Sequence, residues 1–409
     1  MIRALRVYEG GAWRVFTAGA AFVIVGGGLG AAPFAAVLGL CLLPLYARPA
    51  ARALRAAPTA PALFAAAIGF AALSLTWSGY ERPDQALKLL LATPLFVLLP
   101  FAALQLDDAR ARRLFLWFAV ALLLAGVLLF IEEVFNAPIS IWVKLDLEGY
   151  SDLDEVRILA DRTLARGAAG FTLLAGPCAL GLWLIGTSLA KAAAGFVVLV
   201  AFLGGLAFGV EANLLSFLAG FIALGFALRQ PGRTLAVICF GAAAGVIAAP
   251  LLFAALLHLT PDAFADTLPL SWRMRLETWS FCLELIAASP IIGHGLDIAR
   301  VLDDTYVIDG FELQRLPLHA HNYGLSIWIE TGLVGALLFT AALIAAGRYA
   351  WRRVTDPAQA AGVAHALAAY LATVMVGSGV WQEWLHGVLA LACALALMIR
   401  PRIDAARPA

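Results

Sequence analysis

Long apolar runs, separated by short charged or Gly/Pro-containing breaks, extend through almost the whole of this 409-residue sequence. Hydrophobic residues make up 63% of the chain and charged residues only 13%, and the mean hydropathy is +0.90. A soluble domain carries about 25% charged residues, and a single soluble core stops growing near about 250–300 residues. The sequence therefore excludes a water-soluble globular fold and predicts an all-α, polytopic integral membrane protein.

The apolar runs can be matched to membrane spans, because a hydrocarbon layer of about 30 Å needs about 20 residues per helix and tolerates slightly shorter runs. Twelve runs qualify, at residues 16–30, 32–46, 60–79, 88–104, 114–131, 167–190, 192–210, 212–228, 234–258, 323–347, 361–380 and 385–399. We predict about 12 transmembrane helices in one transmembrane domain covering residues 1–409.

The distribution of basic residues sets the orientation, because Lys and Arg near helix ends are retained in the cytoplasm. With the N-terminus inside, the inner segments hold 18 of the 28 basic residues: Arg3, Arg6, Arg14, Arg48, Arg52, Arg55, Arg110, Arg112, Arg113, Lys191, Arg229, Arg233, Arg348, Arg352, Arg353, Arg400, Arg402 and Arg407. Both termini are therefore predicted to be cytoplasmic. Two long segments, 132–166 and 259–322, then lie outside, and connections of that length are usually functional.

The first external segment ends in three arginines that point to anion binding. Arg162 and Arg166 are four residues apart and share a helical face, with Arg157 about one turn earlier. Guanidinium groups match phosphate oxygens bidentately, so a phosphate clamp near the outer membrane surface is one interpretation. The other is a solvated ion-pair network with the acidic neighbours Asp154, Glu155 and Asp161.

The second external segment contains an amphipathic stretch with one apolar stripe: Trp272, Leu276, Trp279, Leu283 and Ile286. Ser271 is the expected N-cap and Pro290 the expected end. A helix of this length with internal charges is better suited to the membrane interface than to spanning. Arg273 and Arg275 would then lie at headgroup depth, either as a substrate site or as anchors to lipid phosphates.

The sequence LPLHAHNYGLSIWIETGLVG, residues 316–335, carries the strongest chemical signal. His319 and His321 immediately precede an apolar span, where an imidazole can reach both water and a lipid-borne substrate. Imidazole has an unperturbed pKa of about 6.5, which suits a general base near neutral pH. Either histidine can fill this role.

A polar stripe continues from the histidines into the following span. Asn322, Ser326 and Glu330 recur every four residues on one helical face, and Gly332 and Gly335 allow close helix approach beyond it. An intramembrane carboxylate is costly, so Glu330 must be paired, protonated or directed into a wet cavity. The stripe is either part of a site or a means of helix packing, with the histidines as interfacial caps.

Several reaction classes are disfavoured by what the sequence lacks. It contains no phosphate-binding loop, dinucleotide-binding fingerprint, zinc-protease pattern or nucleophile elbow. The acidic DLDE run at 152–155 could hold a cation, but three nearby arginines would compete for its oxygens. We therefore predict no metal and no cofactor, and the net charge of +1 gives no indication of a nucleic-acid partner.

The histidine region resembles a known family. His321-Asn322, nine residues, Gly332, two residues and Gly335 reproduce the pattern H-[NSQ]-x9-G-x2-G of the O-antigen ligase and polymerase superfamily of bacterial lipopolysaccharide biosynthesis. RLETW from Arg275 to Trp279, followed by SPIIGHG, is similar to the Arg, Trp and P-[LI]-x-G-x-G stretch of that family. ARG at 165–167 resembles the arginine-glycine pair that opens a helix in the ligases.

The resemblance implies a metal-independent, inverting glycosyltransferase of the bacterial inner membrane, acting at its periplasmic face among membrane lipids. Such enzymes transfer a glycan from undecaprenyl diphosphate to an acceptor, which for an O-antigen ligase is lipid A-core oligosaccharide. His321 would be the general base, which His319 could replace or assist. The donor diphosphate would be bound by Arg166 and Arg275 with help from Arg162, Arg273 and Arg157, and Asn322 and Glu330 would support the site.

Three alternatives stay open at the sequence level. An O-antigen polymerase and a protein O-oligosaccharyltransferase share these motifs. The external segments are short for a protein glycosyltransferase, which favours the ligase. A transporter would also fit twelve spans, but it would place ionisable groups near the midplane and often in repeated halves. Here these groups concentrate at one face and no internal repeat is visible.

Overall fold

The computed structural model describes residues 2–208 and 210–400. Within these ranges the chain is almost entirely helical. Arg402 and Arg407, which contribute to the predicted cytoplasmic charge, lie outside the described residues.

Seven helices precede the middle of the chain: α1 (Ile2–Val25), α2 (Ala31–Ala56), α3 (Thr59–Ser74), α4 (Asp84–Leu104), α5 (Asp108–Val134), α6 (Pro138–Trp142) and α7 (Leu153–Ile185). Eight follow: α8 (Ser188–Leu206), α9 (Glu211–Arg229), α10 (Pro231–His258), α11 (Asp262–Ala265), α12 (Leu270–Ala288), α13 (Tyr323–Arg353), α14 (Pro357–Val376) and α15 (Glu383–Leu397). Two short strands, β1 (Thr305–Ile308) and β2 (Phe311–Gln314), pair antiparallel with Thr305 opposite Gln314.

Ten helices in the described ranges are long and apolar enough to cross a membrane: α2, α3 with the 3₁₀ turn that extends it to Trp77, α4, α5, α7, α8, α9, α10, α13 and α14. The all-α polytopic membrane fold is therefore confirmed. Helices also cover the first and last predicted spans, but α1 carries Glu9 and Arg14, and α15 has only 15 residues. The count of twelve spans stays a prediction.

Helix α7 lies at the centre of the bundle, with 83% of its most apolar window buried. Small residues on α7 allow this close packing: a Cβ built on Gly167 would lie 2.5 Å from the carbonyl oxygen of Ile24. The helix begins well before the apolar run at 167, because the Asp152 carboxylate caps it by accepting bonds from the amides of Asp154 and Glu155. The three arginines of the first external segment consequently lie on α7 itself.

The second external segment is folded rather than extended. The predicted amphipathic helix is present as α12, but Pro269 occupies the N-cap position and Ser271 lies inside the helix, so the N-cap prediction was wrong. The apolar stripe of α12, which includes Trp279 and Ile286, packs into a second core cluster with Leu325 and Ile329 of α13. The β1–β2 hairpin was not predicted.

Helix α13 is broken at Gly332, which has φ +58°. Segment 290–295 lies against the break and supplies backbone hydrogen bonds there. The amide of His294 donates to the carbonyl of Ile329 at 2.7 Å, and that of Gly295 donates to Glu330 at 2.9 Å. Beyond the break, the amide of Leu333 donates to the carbonyl of Pro290 at 2.9 Å. These backbone bonds therefore hold segment 290–295, which directly follows α12, against α13.

Candidate functional site

His319 and His321 lie in the short turn that leads into α13. Asn322 is the N-cap of α13, and its side-chain oxygen accepts a bond from the Leu325 amide at 3.1 Å. His321 has φ +50°, so the chain reverses there. The turn brings the two imidazole centroids within 4.2 Å of each other, with the rings inclined by 69°.

One hydrogen bond distinguishes the two histidines. The backbone N–H of His321 donates to Nδ1 of His319 at 3.3 Å, so a neutral His319 carries its proton on Nε2. By contrast, Nδ1 of His321 is buried and has no hydrogen-bond partner among the described residues. The neutral His321 ring therefore keeps a lone pair that no donor among the described residues occupies.

Arg275 of α12 supplies positive charge beside the histidines. Its guanidinium donates to two carbonyl oxygens, Ser271 at 3.2 Å and Val376 at 3.3 Å, and lies 4.9 Å from the centroid of the Trp272 ring. In the part of the chain that the structure describes, Arg275 forms no salt bridge, and its Nε has no hydrogen-bond partner. This charge is therefore available to an anionic ligand.

The surroundings keep both imidazoles neutral. Burial, and after it the charge of Arg275, lower the pKa of His319 to about 4. Burial also lowers the pKa of His321 to about 3, with added repulsion from His319 and Arg275, while the Val376 backbone opposes the shift. Both side chains can consequently act as neutral bases or donors at neutral pH.

Arg166 on α7 reaches the same end of the bundle. The Asn213 amide of α9 donates to the carbonyl of Ala165 at 2.9 Å, while Ala212 packs against Gly377 just after α14. Gly379 in the same α14–α15 connection lies against His319. Arg166 is half-buried, and its Nε has no hydrogen-bond partner in the described ranges.

The other two arginines of α7 are more exposed. Arg157 contacts Asp154 at 3.7 Å, the ion pair that the alternative interpretation of this segment predicts. Arg162 is exposed and forms no salt bridge within residues 2–208 or 210–400. The structure therefore places Arg162 and Arg157 progressively farther out along α7 than Arg166.

Arg273 lies on a different side of α12 from Arg275, because residues two apart in an α-helix differ by about 200°. Arg273 forms a salt bridge with Asp309 in the hairpin turn. The structure brings Arg275, but not Arg273, to the histidines. The carboxylate partner of Arg273 argues against its predicted role in phosphate binding.

Glu330 lies deeper in the bundle, with Ser326 between it and Asn322 on the same buried stripe. Its Oε2 has no hydrogen-bond partner in the described structure. Asp297, two residues after segment 290–295, is buried nearby and forms a salt bridge with Arg300 at 3.4 Å. Among the described residues, no group of three or more His, Cys, Asp or Glu side chains could hold a metal ion.

Parts of the site come from distant segments that the sequence did not identify. Val376 and Gly379, at the α14–α15 connection, form its wall, and Asn213 of α9 joins that wall to α7. The available signal was weak: Glu211 and Asn213 are polar residues at the outer end of an otherwise apolar run.

These features define a class: a multi-pass membrane protein with a histidine–arginine site at one end of its helical bundle. Comparison with known families then adds a finer description. Residues 196–340 match the family model described as O-Antigen ligase. This segment contains Arg275, both histidines and the break at Gly332. The resemblance to the O-antigen ligase superfamily is thereby confirmed over this segment.

Individual relatives agree with the family match. A Rickettsia typhi protein named "Putative polysaccharide ligase" is 29% identical over 156 residues, 36% of this chain and 37% of the relative. The "Exopolysaccharide production protein ExoQ" of Rhizobium meliloti is 29% identical over 203 residues, 47% of this chain and 40% of the relative. The matches thus span about two fifths of these relatives' length.

Proposed function

We propose that this chain is an O-antigen ligase-type glycosyltransferase of the bacterial inner membrane, with its site at the periplasmic face. It would transfer a glycan from undecaprenyl diphosphate to lipid A-core oligosaccharide. The observation that carries the proposal is the unpartnered Nδ1 of His321 beside Arg275, a cation with no carboxylate partner in the described chain. The family match and the name of the Rickettsia relative support the same reaction class.

The proposed reaction forms one bond, breaks one bond and transfers one proton. The acceptor hydroxyl oxygen attacks the anomeric carbon of the donor glycan, while the bond from that carbon to the diphosphate oxygen breaks and its electron pair stays on the diphosphate. His321 takes the hydroxyl proton on its neutral imidazole. Attack opposite the leaving group inverts the anomeric configuration.

Arg275 and Arg166 would stabilise the charge that grows on the departing diphosphate. Neither forms a salt bridge within the described ranges, and both combine a partly buried guanidinium with an Nε that has no hydrogen-bond partner there. Arg162 and Arg157, farther out on α7, would attract the donor headgroup. Because guanidinium groups supply this charge, the proposed reaction needs no metal and no cofactor.

The low pKa of His321 fits this role once the donor is bound. In the free site, burial, His319 and Arg275 all disfavour the imidazolium. A diphosphate bound on Arg275 brings negative charge beside the ring and raises the pKa of His321 towards neutrality. The base therefore gains proton affinity when a leaving group is present.

A second candidate function is polymerisation of a lipid-linked glycan. It is compatible with the match to the Exopolysaccharide production protein, whose name indicates polysaccharide production without specifying ligation, and which covers a larger share of this chain than the Rickettsia typhi relative. The catalytic groups would be the same, and only the acceptor would differ, because a second lipid-linked glycan would replace lipid A-core.

The test is a transfer reaction with purified protein in EDTA, undecaprenyl diphosphate-linked glycan as donor and rough lipopolysaccharide as acceptor. Products are separated by size and by lipid anchor. Glycan attached to lipopolysaccharide supports the ligase. Elongated glycan on undecaprenyl diphosphate instead assigns a polymerase, and the absence of both products contradicts the proposed function.

A further inference from the structure

A cleft of about 340 Å³ lies between the β1–β2 hairpin, the outer end of α10 and α12. Its walls include Arg273, Glu277 and Ser280 of α12, Tyr306 of β1 and Asp266. Residues 273, 277 and 280 share one face of α12 next to the apolar stripe, whose Leu276 also lines the cleft. Arg275, which lies beside the histidines, is on a different side of the same helix.

Salt bridges hold the hairpin over this cleft at two points. Arg273 pairs with Asp309 in the hairpin turn. Arg315, directly after β2, donates to Glu277 at 2.7 Å and forms a two-bond fork with Glu284 at 2.8 and 2.9 Å. These bonds fix the hairpin opposite α12, so the shape of the cleft is maintained by side-chain contacts within the second external segment.

The charges in the cleft disfavour an anionic ligand. Asp266 and Glu277 are acidic, and the lining cation Arg273 is paired with Asp309. A phosphate or lipid headgroup would need positive charge in excess, as Arg275 provides on the other side of α12. A neutral ligand with many hydroxyl groups instead suits a mixture of carboxylate, guanidinium and hydroxyl groups.

Two lining residues also have unused hydrogen-bonding capacity. The Tyr306 hydroxyl and Arg273 Nε have no hydrogen-bond partner in the part of the chain that the structure describes. Both belong to the cleft wall, and Leu276 and Ile308 add apolar surface. Pockets of this kind combine apolar area with a few polar groups that orient the ligand.

We infer that this cleft is an oligosaccharide-binding subsite that holds a segment of neutral glycan beside the reaction centre. The inference rests on the proposed function and deepens it, because it assigns a place to sugars that are not themselves reacting. The glycan could belong to the donor or to the acceptor. In either case, binding energy gained in the cleft would position the reacting end near His321.

Two variants of the full-length protein test this subsite. Tyr306→Phe removes one hydroxyl group, and Ser280→Phe fills the cleft. Tyr349→Phe on the exposed inner part of α13 is the matched control. We expect Tyr306→Phe to raise KM about fivefold, the size of one lost hydrogen bond, and Ser280→Phe to raise it further. A rise in the donor KM assigns the donor glycan, and a rise in the acceptor KM assigns the acceptor.

Direct binding separates this inference from the proposed function. Saturation-transfer NMR is recorded with glycan released from the donor by mild acid and with core oligosaccharide released from rough lipopolysaccharide. Signals for either sugar that Ser280→Phe abolishes support the subsite, even if the protein catalyses no transfer. Normal KM values together with unchanged sugar signals in both variants would overturn it, as would displacement of the sugar by inorganic phosphate.

Discussion

Two histidines separated by one residue have different hydrogen-bonding environments. His319 accepts the backbone amide of His321 at Nδ1, so its remaining ring nitrogen is a donor when the ring is neutral. His321 keeps an unpartnered Nδ1 within the described site. The sequence left the choice of base open, because the choice depends on the backbone turn at His321, which spacing alone does not reveal.

The lowered pKa of His321 predicts an unusual pH profile. The base must be neutral to act, so activity is lost only as the pH falls through its pKa. With that pKa at about 3 in the free enzyme, kcat/KM for the donor, which reports the free enzyme, should stay within about twofold between pH 7 and pH 5. A histidine with the ordinary pKa of about 6.5 would lose about 25-fold over this range. Such a loss, measured in initial rates of transfer, would contradict the buried environment.

Replacing the unpaired cation should impair the chemical step. Arg275→Gln removes charge that would stabilise the departing diphosphate, so we expect kcat to fall about 100-fold, with partial recovery in Arg275→Lys. Arg348→Gln, at an exposed position on the inner half of α13, is the control. If Arg275→Gln retained both kcat and the donor KM, Arg275 would be only a membrane anchor.

At the scale of elements, the broken helix α13 connects the external segment to the bundle. Gly332 and Gly335 were expected to admit a neighbouring helix. The structure instead places segment 290–295 against Gly332, where a Cβ would lie 2.5 Å from the carbonyl oxygen of Ile291. The SPIIGHG stretch and the histidine pattern that ends in Gly332 and Gly335, both similar to the ligase family, thus pack against each other.

This packing predicts a large effect of a small substitution. Gly332→Ala combines a positive φ with a backbone clash, so we expect a loss of about 2–4 kcal/mol of stability and a lower Tm. Gly225→Ala on α9 is the control, because nothing lies within 4 Å of an added Cβ there. Thermal unfolding in detergent measures both. An unchanged Tm for Gly332→Ala would contradict the packing at the break.

Local patterns predicted some elements and missed others. The apolar stripe of α12 and the polar stripe of Asn322, Ser326 and Glu330 depend on near neighbours, so the sequence predicted both correctly. The hairpin was missed although Asp309-Gly310, both at positive φ, is a typical two-residue turn signal between strands. The capping of α7 by Asp152 was also missed, because the residues before Gly167 include many charges and do not continue the apolar run that marked the helix.

At the scale of the whole molecule, composition was sufficient to predict the membrane class but not the assembly of the site. The composition required many apolar helices, and the histidines and Arg275 marked one end of the bundle. The contacts of Asn213 with α7 and of Gly379 with His319 join residues far apart in the sequence. Such contacts depend on how the helices pack, which the periodicity of each helix does not specify.

The predicted orientation gives a labelling experiment. Asp303 lies in the external segment and Gln230 in the opposite α9–α10 connection, and both are exposed. In a cysteine-free background, Asp303→Cys should react with a membrane-impermeant maleimide in spheroplasts, whereas Gln230→Cys should react only after permeabilisation. The reverse pattern would place the site in the cytoplasm and contradict the predicted orientation.

The most direct test of the central claim is the rate of glycan transfer by His321→Ala. His258→Ala, at an exposed outer position on α10, is the matched control. We predict that His321→Ala loses at least about 100-fold in kcat while it still binds the lipid-diphosphate donor, and that His258→Ala transfers normally. Transfer by His321→Ala at the rate of the unmodified protein would contradict the assignment of His321 as the base.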